Sequence, residues 1–186
     1  RNHSSAASDV YKRQLEHQRR DPETPLFPRV RTFPGGAAPK PPQLHYDLVE
    51  EMGGVGIVSG YGLTECPIIA MNTTRCAPEK LANTEGRVNP PEGQMRIVTL
   101  AGEEAGPGVE GEIRAFGPQL FKGYVDPSLD ETAFDEQGFF RTGDLGYLDE
   151  DGYIVITGRL KDVIIRKGEN ISAQEIEDLL YPHPKI

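Results

Sequence analysis

Val55-Gly56-Ile57-Val58-Ser59-Gly60-Tyr61-Gly62-Leu63-Thr64-Glu65 is the stretch on which the fold turns. Val55 to Ser59 is a short apolar run, which reads as a buried strand. Gly60-Tyr61-Gly62 then predicts a tight turn. A ring, a hydroxyl and a carboxylate arrive together where a buried strand ends, and in open α/β sheets ligands sit beyond the carboxyl ends of strands. A tyrosine face can stack on a planar base. A threonine hydroxyl can donate to a phosphate oxygen, and a glutamate suits Mg²⁺, a hard cation that prefers oxygen ligands. The same residues also read as a polar loop holding a capping threonine, and on spacing alone that plainer reading leads.

Upstream of this stretch, Gln43 to Met52 reads as a helix. Leu44, Leu48 and Met52 fall on one face, and Gly53-Gly54 is a stop signal. Gly35-Gly36-Ala37-Ala38 reads as a small-residue turn. Leu15 to Pro34 is charged and proline-rich and reads as irregular. Arg1 to Gln14 shows no apolar periodicity and no secretory pattern, so 1–14 is expected to be a non-native leader outside the fold.

Downstream, from Gly86, short strands alternate with turns. Met95 to Leu100, Glu112 to Phe116, Phe139 to Arg141, Gly146 to Leu148 and Tyr153 to Thr157 read as strands, with a short helix from Asp126 to about Phe134. Asp149 to Gly152 has the acidic and glycine residues of a hairpin turn. Together they predict a small antiparallel β barrel or sheet. Val163 to Arg166 is one more strand. Ser172-Ala173-Gln174-Glu175 then makes a capping box, with Ile171 and Ile176 placed as a hydrophobic staple.

Composition narrows the classes. Lys and Arg number 20 against 29 Asp and Glu, a net charge of −9. A nucleic-acid binder needs a basic face to displace counterions, so none is expected. Docking on an anionic membrane is disfavoured for the same reason. No apolar run approaches the roughly 18 residues of a membrane span. Two cysteines, Cys66 and Cys76, are too few for a disulfide scaffold and suggest a reducing, cytoplasmic setting. The four histidines show no metal spacing, and neither a Walker loop nor a G-x-S-x-G elbow is present.

Two further stretches carry residue types that packing alone does not demand. Arg141-Thr142-Gly143-Asp144 reads first as an Asx turn between strands, and second as a carboxylate that accepts two ribose hydroxyls. Gly158-Arg159-Leu160-Lys161-Asp162 and Arg166-Lys167-Gly168-Glu169-Asn170 form a basic cluster in an acidic chain. It is either a solvated hairpin of weak ion pairs or a segment facing a polyanion beside a mobile joint.

In order, Gly35-Gly36-Ala37, YGLTE (Tyr61 to Glu65), GEIRAFGPQLFKGY (Gly111 to Tyr124), RTGDLG (Arg141 to Gly146) and GRLKDVIIRKGENISAQEIE (Gly158 to Glu177) resemble the adenylate-forming superfamily. The run KDVIIRKGENIS is most similar to its acyl-CoA synthetases. The resemblance implies an α/β plus β fold. Residues 15–85 would be an αβ piece of the large domain and 86–160 its distorted antiparallel β barrel. Residues 161–186 would start the small α+β C-terminal domain. It also implies ATP, Mg²⁺ and coenzyme A as partners of a small-molecule carboxylate, with a homodimer left open. Alternatives are an adenylation domain that loads a carrier protein and a non-catalytic nucleotide-binding fragment.

Carried over by position, the resemblance assigns Thr64 and Glu65 to catalysis, with Glu65 on the metal. Gly36, Ala37, Tyr61, Gly62, Thr64, Asp144 and Arg159 would bind the nucleotide. Gly168 would face the coenzyme A arm, and Lys161 would be the hinge. The family's phosphate loop lies upstream of these motifs and its catalytic lysine downstream. The expectation is therefore a truncated piece that does not adenylate at a normal rate alone.

Overall fold

The computed structural model describes residues 6–36, 40–166, 169–171, 176 and 180. Its first half opens with helix α1 (Ala6–Gln18), strand β1 (Phe33–Gly36), helix α2 (Pro42–Met52) and strand β2 (Ile57–Leu63). Strand β3 (Cys66–Met71), helix α3 (Pro78–Asn83) and strand β4 (Arg87–Val88) follow. These strands form one sheet in the order β1-β2-β3-β4. β1 runs parallel to β2 with Phe33 opposite Ile57 and Gly36 opposite Gly60, and α2 supplies the crossover that a parallel pair requires. The other pairings are antiparallel.

The second half is β5 (Gln94–Val98), β6 (Gly111–Phe116), a 3₁₀ turn at Pro127–Leu129 leading into α4 (Asp130–Ala133), β7 (Phe140–Leu148) and β8 (Ile154–Arg159). The order is β5-β6-β7-β8, antiparallel throughout. A 3₁₀ turn at Leu160–Asp162 then leads to β9 (Ile164–Arg166), paired with β10 (Glu169–Ile171).

Two cores hold these layers together. Leu44, Leu48 and Met52 on the inner face of α2 close over Phe33, Ile57 and Leu15. The second core lies between the sheets, where Tyr61, Cys66, Ile69 and Ala70 meet Ile97, Ile113, Ala115 and Ile154. The sheets are also joined through the backbone: Glu85 N donates to Ile154 O, and Ile154 N donates to Gly86 O.

Several sequence expectations are corrected. Residues 6–14, expected to lie outside the fold, form the first part of a helix whose Leu15 is buried in the core. Among the described side chains of α1, Tyr11 and Leu15 form its apolar contact face, too few for a periodic signal; the Tyr11 ring meets Phe33 edge-on at 5.4 Å. Gly35-Gly36 ends a strand instead of turning, because it pairs with β2. Gly60-Tyr61-Gly62 stays extended, and the chain reverses at Thr64-Glu65. Gly62 is needed there for close approach: a Cβ would lie 2.1 Å from Pro67 O.

Phe139 to Leu148 holds one strand, not two with a turn between them. The register shifts on both sides of it, and Gly143 takes φ +70, which an L side chain rarely adopts. β3, α3 and β4 were not anticipated. The box Ser172–Glu175 lies outside the described residues, and Ile171 belongs to β10.

Candidate functional site

The alternation of β2 sets which groups reach the site. Ile57, Ser59 and Tyr61 share the inward face of the strand. Tyr61 is 7% exposed, so its ring is packed in the core between the sheets and it presents its hydroxyl edge. That hydroxyl donates to Asp144 Oδ2 at 2.8 Å, a contact spanning 83 residues of sequence.

Asp144 lies in β7 directly opposite Arg159 in β8. Arg159 Nε meets its other oxygen, Oδ1, at 3.0 Å. The backbone at Asp144 is braced by Thr142. Thr142 Oγ1 accepts from Asp144 N at 3.1 Å and donates to Ile113 O at 2.7 Å. One carboxylate thus gathers groups from both sheets.

Burial dominates the electrostatics of this cluster. It raises the Asp144 carboxyl above its ordinary value, against the Tyr61 hydroxyl and the charges of Arg159 and Lys161, which favour the ionised form. Burial, followed by the Asp144 charge, pushes the Tyr61 phenol far above its usual range, so it remains a donor. Arg159 is the exposed member, with 57% of its side chain in solvent. It is the face of the cluster a ligand would meet.

The second set lies at the β2–β3 turn. Thr64 is exposed and Glu65 half-buried. Glu65 Oε1 accepts from Tyr124 Oη at 2.8 Å, and Glu65 O accepts from Phe121 N at 2.8 Å. Among the described residues, nothing bonds Glu65 Oε2. No group of three acidic, histidine or cysteine side chains that could hold a metal unaided occurs among the described residues. A single carboxylate such as Glu65 could supply one oxygen to a Mg²⁺ whose other ligands come from phosphates and water.

The structure brings Tyr61, Asp144 and Arg159 into direct contact, with Lys161 exposed in the 3₁₀ turn two residues beyond Arg159. Thr64 and Glu65 lie just past Tyr61 along the same hairpin. Gly62 is next to Tyr61, and Gly36 pairs with Gly60. Ala37 and Gly168 lie outside the described residues.

Sequence reasoning missed the roles of Thr142 and Tyr124. Both lay inside motifs that were singled out, yet nothing local signals a contact 59 residues away. It also missed Lys40. The Lys40 Nζ donates to Ser59 Oγ at 2.7 Å, Thr84 O at 2.9 Å and Glu85 Oε1 at 2.8 Å, and so ties the β1–α2 connection to β2 and to the α3–β4 connection.

Known proteins resemble this chain in sequence and in fold. The chain is 42% identical over 134 residues to the medium-chain fatty-acid–CoA ligase of Escherichia coli K12, covering 72% of this chain and 24% of that protein. It is 42% identical over 134 residues to the salicyl-AMP ligase / salicyl-S-ArCP synthetase of Mycobacterium tuberculosis H37Rv, covering 70% and 23%. Among solved structures it superimposes on the O-succinylbenzoate coenzyme A synthetase of Bacillus subtilis in complex with ATP and magnesium ion. The TM-score is 0.80 at 32% identity, covering 96% of this chain and 36% of that one. The chain thus spans about a quarter of the curated relatives' length.

Two sheets sharing a core give this chain the fold of part of that solved structure, and a tyrosine, an aspartate and an arginine are joined across them. Residues 2–125 match the model of the AMP-binding enzyme family, and the chain belongs to that family.

Proposed function

We propose that this chain is part of an ATP-dependent acyl-CoA synthetase, and that the Tyr61–Asp144–Arg159 cluster grips the adenosine of ATP. The observation that carries this reading is the buried Asp144 carboxylate, tied to Tyr61 on one side and to the exposed Arg159 on the other. A carboxylate of this kind suits a pair of vicinal hydroxyls. Tyr61 would lie beside the purine, with Gly36, Ala37 and Gly62 lining the pocket.

In the first half-reaction the substrate carboxylate would attack the α-phosphorus of ATP. An O–P bond forms between the carboxylate and the α-phosphorus, the α–β phosphoanhydride breaks, and pyrophosphate leaves. In the second, the thiol sulfur of coenzyme A would attack the acyl carbon. A C–S bond forms, the C–O bond to AMP breaks, and the thiol proton passes to solvent.

Two anions meet in the first step, so repulsion is the main barrier, and fixed donors lower it where charge develops. Thr64 would donate to the α-phosphate. Glu65 would hold Mg²⁺, which neutralises phosphate charge when bound. Lys161 would be the hinge about which the residues beyond it turn between half-reactions, with Gly168 then facing the coenzyme A arm.

The acid is proposed to be fatty, cyclic or aromatic, and the setting cytoplasmic; the relative from E. coli is named for medium-chain fatty acids. A second reading, transfer to a carrier protein, is supported by the salicyl-S-ArCP synthetase relative. Pyrophosphate release by the full-length protein, over a panel of carboxylates with either coenzyme A or a carrier protein as acceptor, separates the two. Asp144→Ala is expected to raise the ATP KM about 10- to 100-fold, the worth of one or two charge-assisted hydrogen bonds. An unchanged KM removes the adenosine grip.

A further inference from the structure

Glu65 is held twice by one short segment. Phe121 N donates to its carbonyl and Tyr124 Oη to its carboxylate, both at 2.8 Å. Phe121 and Tyr124 touch edge-on, with ring centroids 4.8 Å apart. The Tyr124 amide is itself fixed, donating to Asp130 Oδ1 at 3.0 Å at the start of α4. Phe121 is anchored further by stacking on Phe134 at 5.7 Å and by an edge contact with Phe140 at 5.4 Å.

The tyrosyl hydroxyl is therefore aimed from several sides at one oxygen of a glutamate whose side chain makes no other hydrogen bond among the described residues. A glutamate at a hairpin turn has three rotatable side-chain bonds and would otherwise sample many positions. Occupying Oε1 leaves Oε2 as the oxygen available to a cation.

We infer that Tyr124 is a positioning residue for the metal: its hydroxyl fixes the Glu65 carboxylate so that Oε2 meets the Mg²⁺ of a bound nucleoside triphosphate. The inference rests on the proposed function, and it adds to that function a residue from the other half of the fold. The segment that carries Tyr124 follows β6, whereas Glu65 lies between β2 and β3. The metal site would then depend on the two sheets keeping their docking, and outer partners of metal-binding carboxylates commonly control affinity in this way.

The test is Mn²⁺ binding, read by electron paramagnetic resonance, in the full-length protein with α,β-methylene-ATP, where no turnover occurs. Tyr124→Phe keeps the ring and removes the hydroxyl. It is expected to weaken Mn²⁺ about tenfold and to leave metal-free nucleotide binding unchanged. A Mn²⁺ affinity within twofold of wild type overturns the inference.

Glu65→Gln provides the second arm. In that background Tyr124→Phe is expected to cause no further loss, because the hydroxyl acts only through Glu65. An equal loss in both backgrounds marks a general structural effect and also overturns it. Should Tyr124→Phe fail to fold, Asp130→Ala frees the Tyr124 amide without touching the hydroxyl. It is expected to weaken Mn²⁺ in the same direction, and an unchanged affinity overturns the inference. If wild type binds nucleotide but no Mn²⁺, the positioning role fails alone. If it binds no nucleotide, the proposed function fails with it.

Discussion

The two sheets bury charge in different ways. In the first, a single ammonium, Lys40, is almost enclosed, with 6% of its side chain exposed. Three acceptors use its three donors: Ser59, Thr84 O and Glu85. In the second, charges alternate in a chain. Arg96 and Arg114 both bond Asp135, and Arg114 also meets Glu112. The first arrangement pins one loop to a strand and to a second loop. The second spreads charge over β5, β6 and the residues before β7. A saturated point contact leaves a full desolvation cost when one partner goes, whereas a chain can redistribute its contacts.

The largest effect expected from this difference is at Lys40. Lys40→Met strands Glu85 and removes the tie to Ser59 and Thr84, and should cost about 3 kcal/mol. Chemical denaturation measures it. Adding Glu85→Leu should recover part of the loss, because the stranded carboxylate is then gone. A double variant no better than the single would mean that the ion pair is not what holds the loop.

A smaller effect is expected at Asp135. Burial pushes its carboxyl up, but the guanidinium groups of Arg96 and Arg114 and the amides of Phe139 and Gln137 outweigh that and bring it down to about 2 from 3.8. A depressed carboxylate contributes stability above its unfolded value and loses it as pH falls through the folded one. Asp135 should therefore contribute about 2 kcal/mol above pH 3.8, fading as pH falls toward 2. Denaturation of wild type and Asp135→Asn across that window should converge at the acid end. Parallel curves would show that the chain of charges carries no titratable stability.

The smallest is Lys80. It reaches from α3 in the first half to Asp149 at 2.6 Å and Asp151 at 2.7 Å in the β7–β8 turn. Pairs left partly in solvent, as these are, are worth little. Lys80→Ala should shift thermal melting less than either change above, with the backbone bonds between Glu85 and Ile154 left to hold the halves together. A shift as large as that of Lys40→Met would reverse the ranking.

The halves also differed in how far their sequence could be read. In the second, each strand pairs with the next one along the chain, and alternation with turn residues located most of them. The first half depends on pairing across distance. β1 is recognisable only through β2, its parallel partner, with α2 between them. Gly60 to Gly62 looked like a turn because glycine marks turns more often than it marks a close approach such as that of Pro67. RTGD misled for a related reason. Thr142 and Gly143 have turn chemistry, but β6 and β8 flank them and keep the chain in the sheet. The helix over 42–52 was legible because Leu44, Leu48 and Met52 repeat at its own period. The Tyr61–Asp144 contact was not, because nothing in either motif encodes the other's position.

Arg159 is the last residue of its strand and faces Asp144 squarely, while Lys161 comes two positions afterwards. A swivel there would turn everything later in the chain and leave this pairing untouched. The sugar end of a captured nucleotide would stay clamped like work in a bench vice, while different tools were brought to its far end.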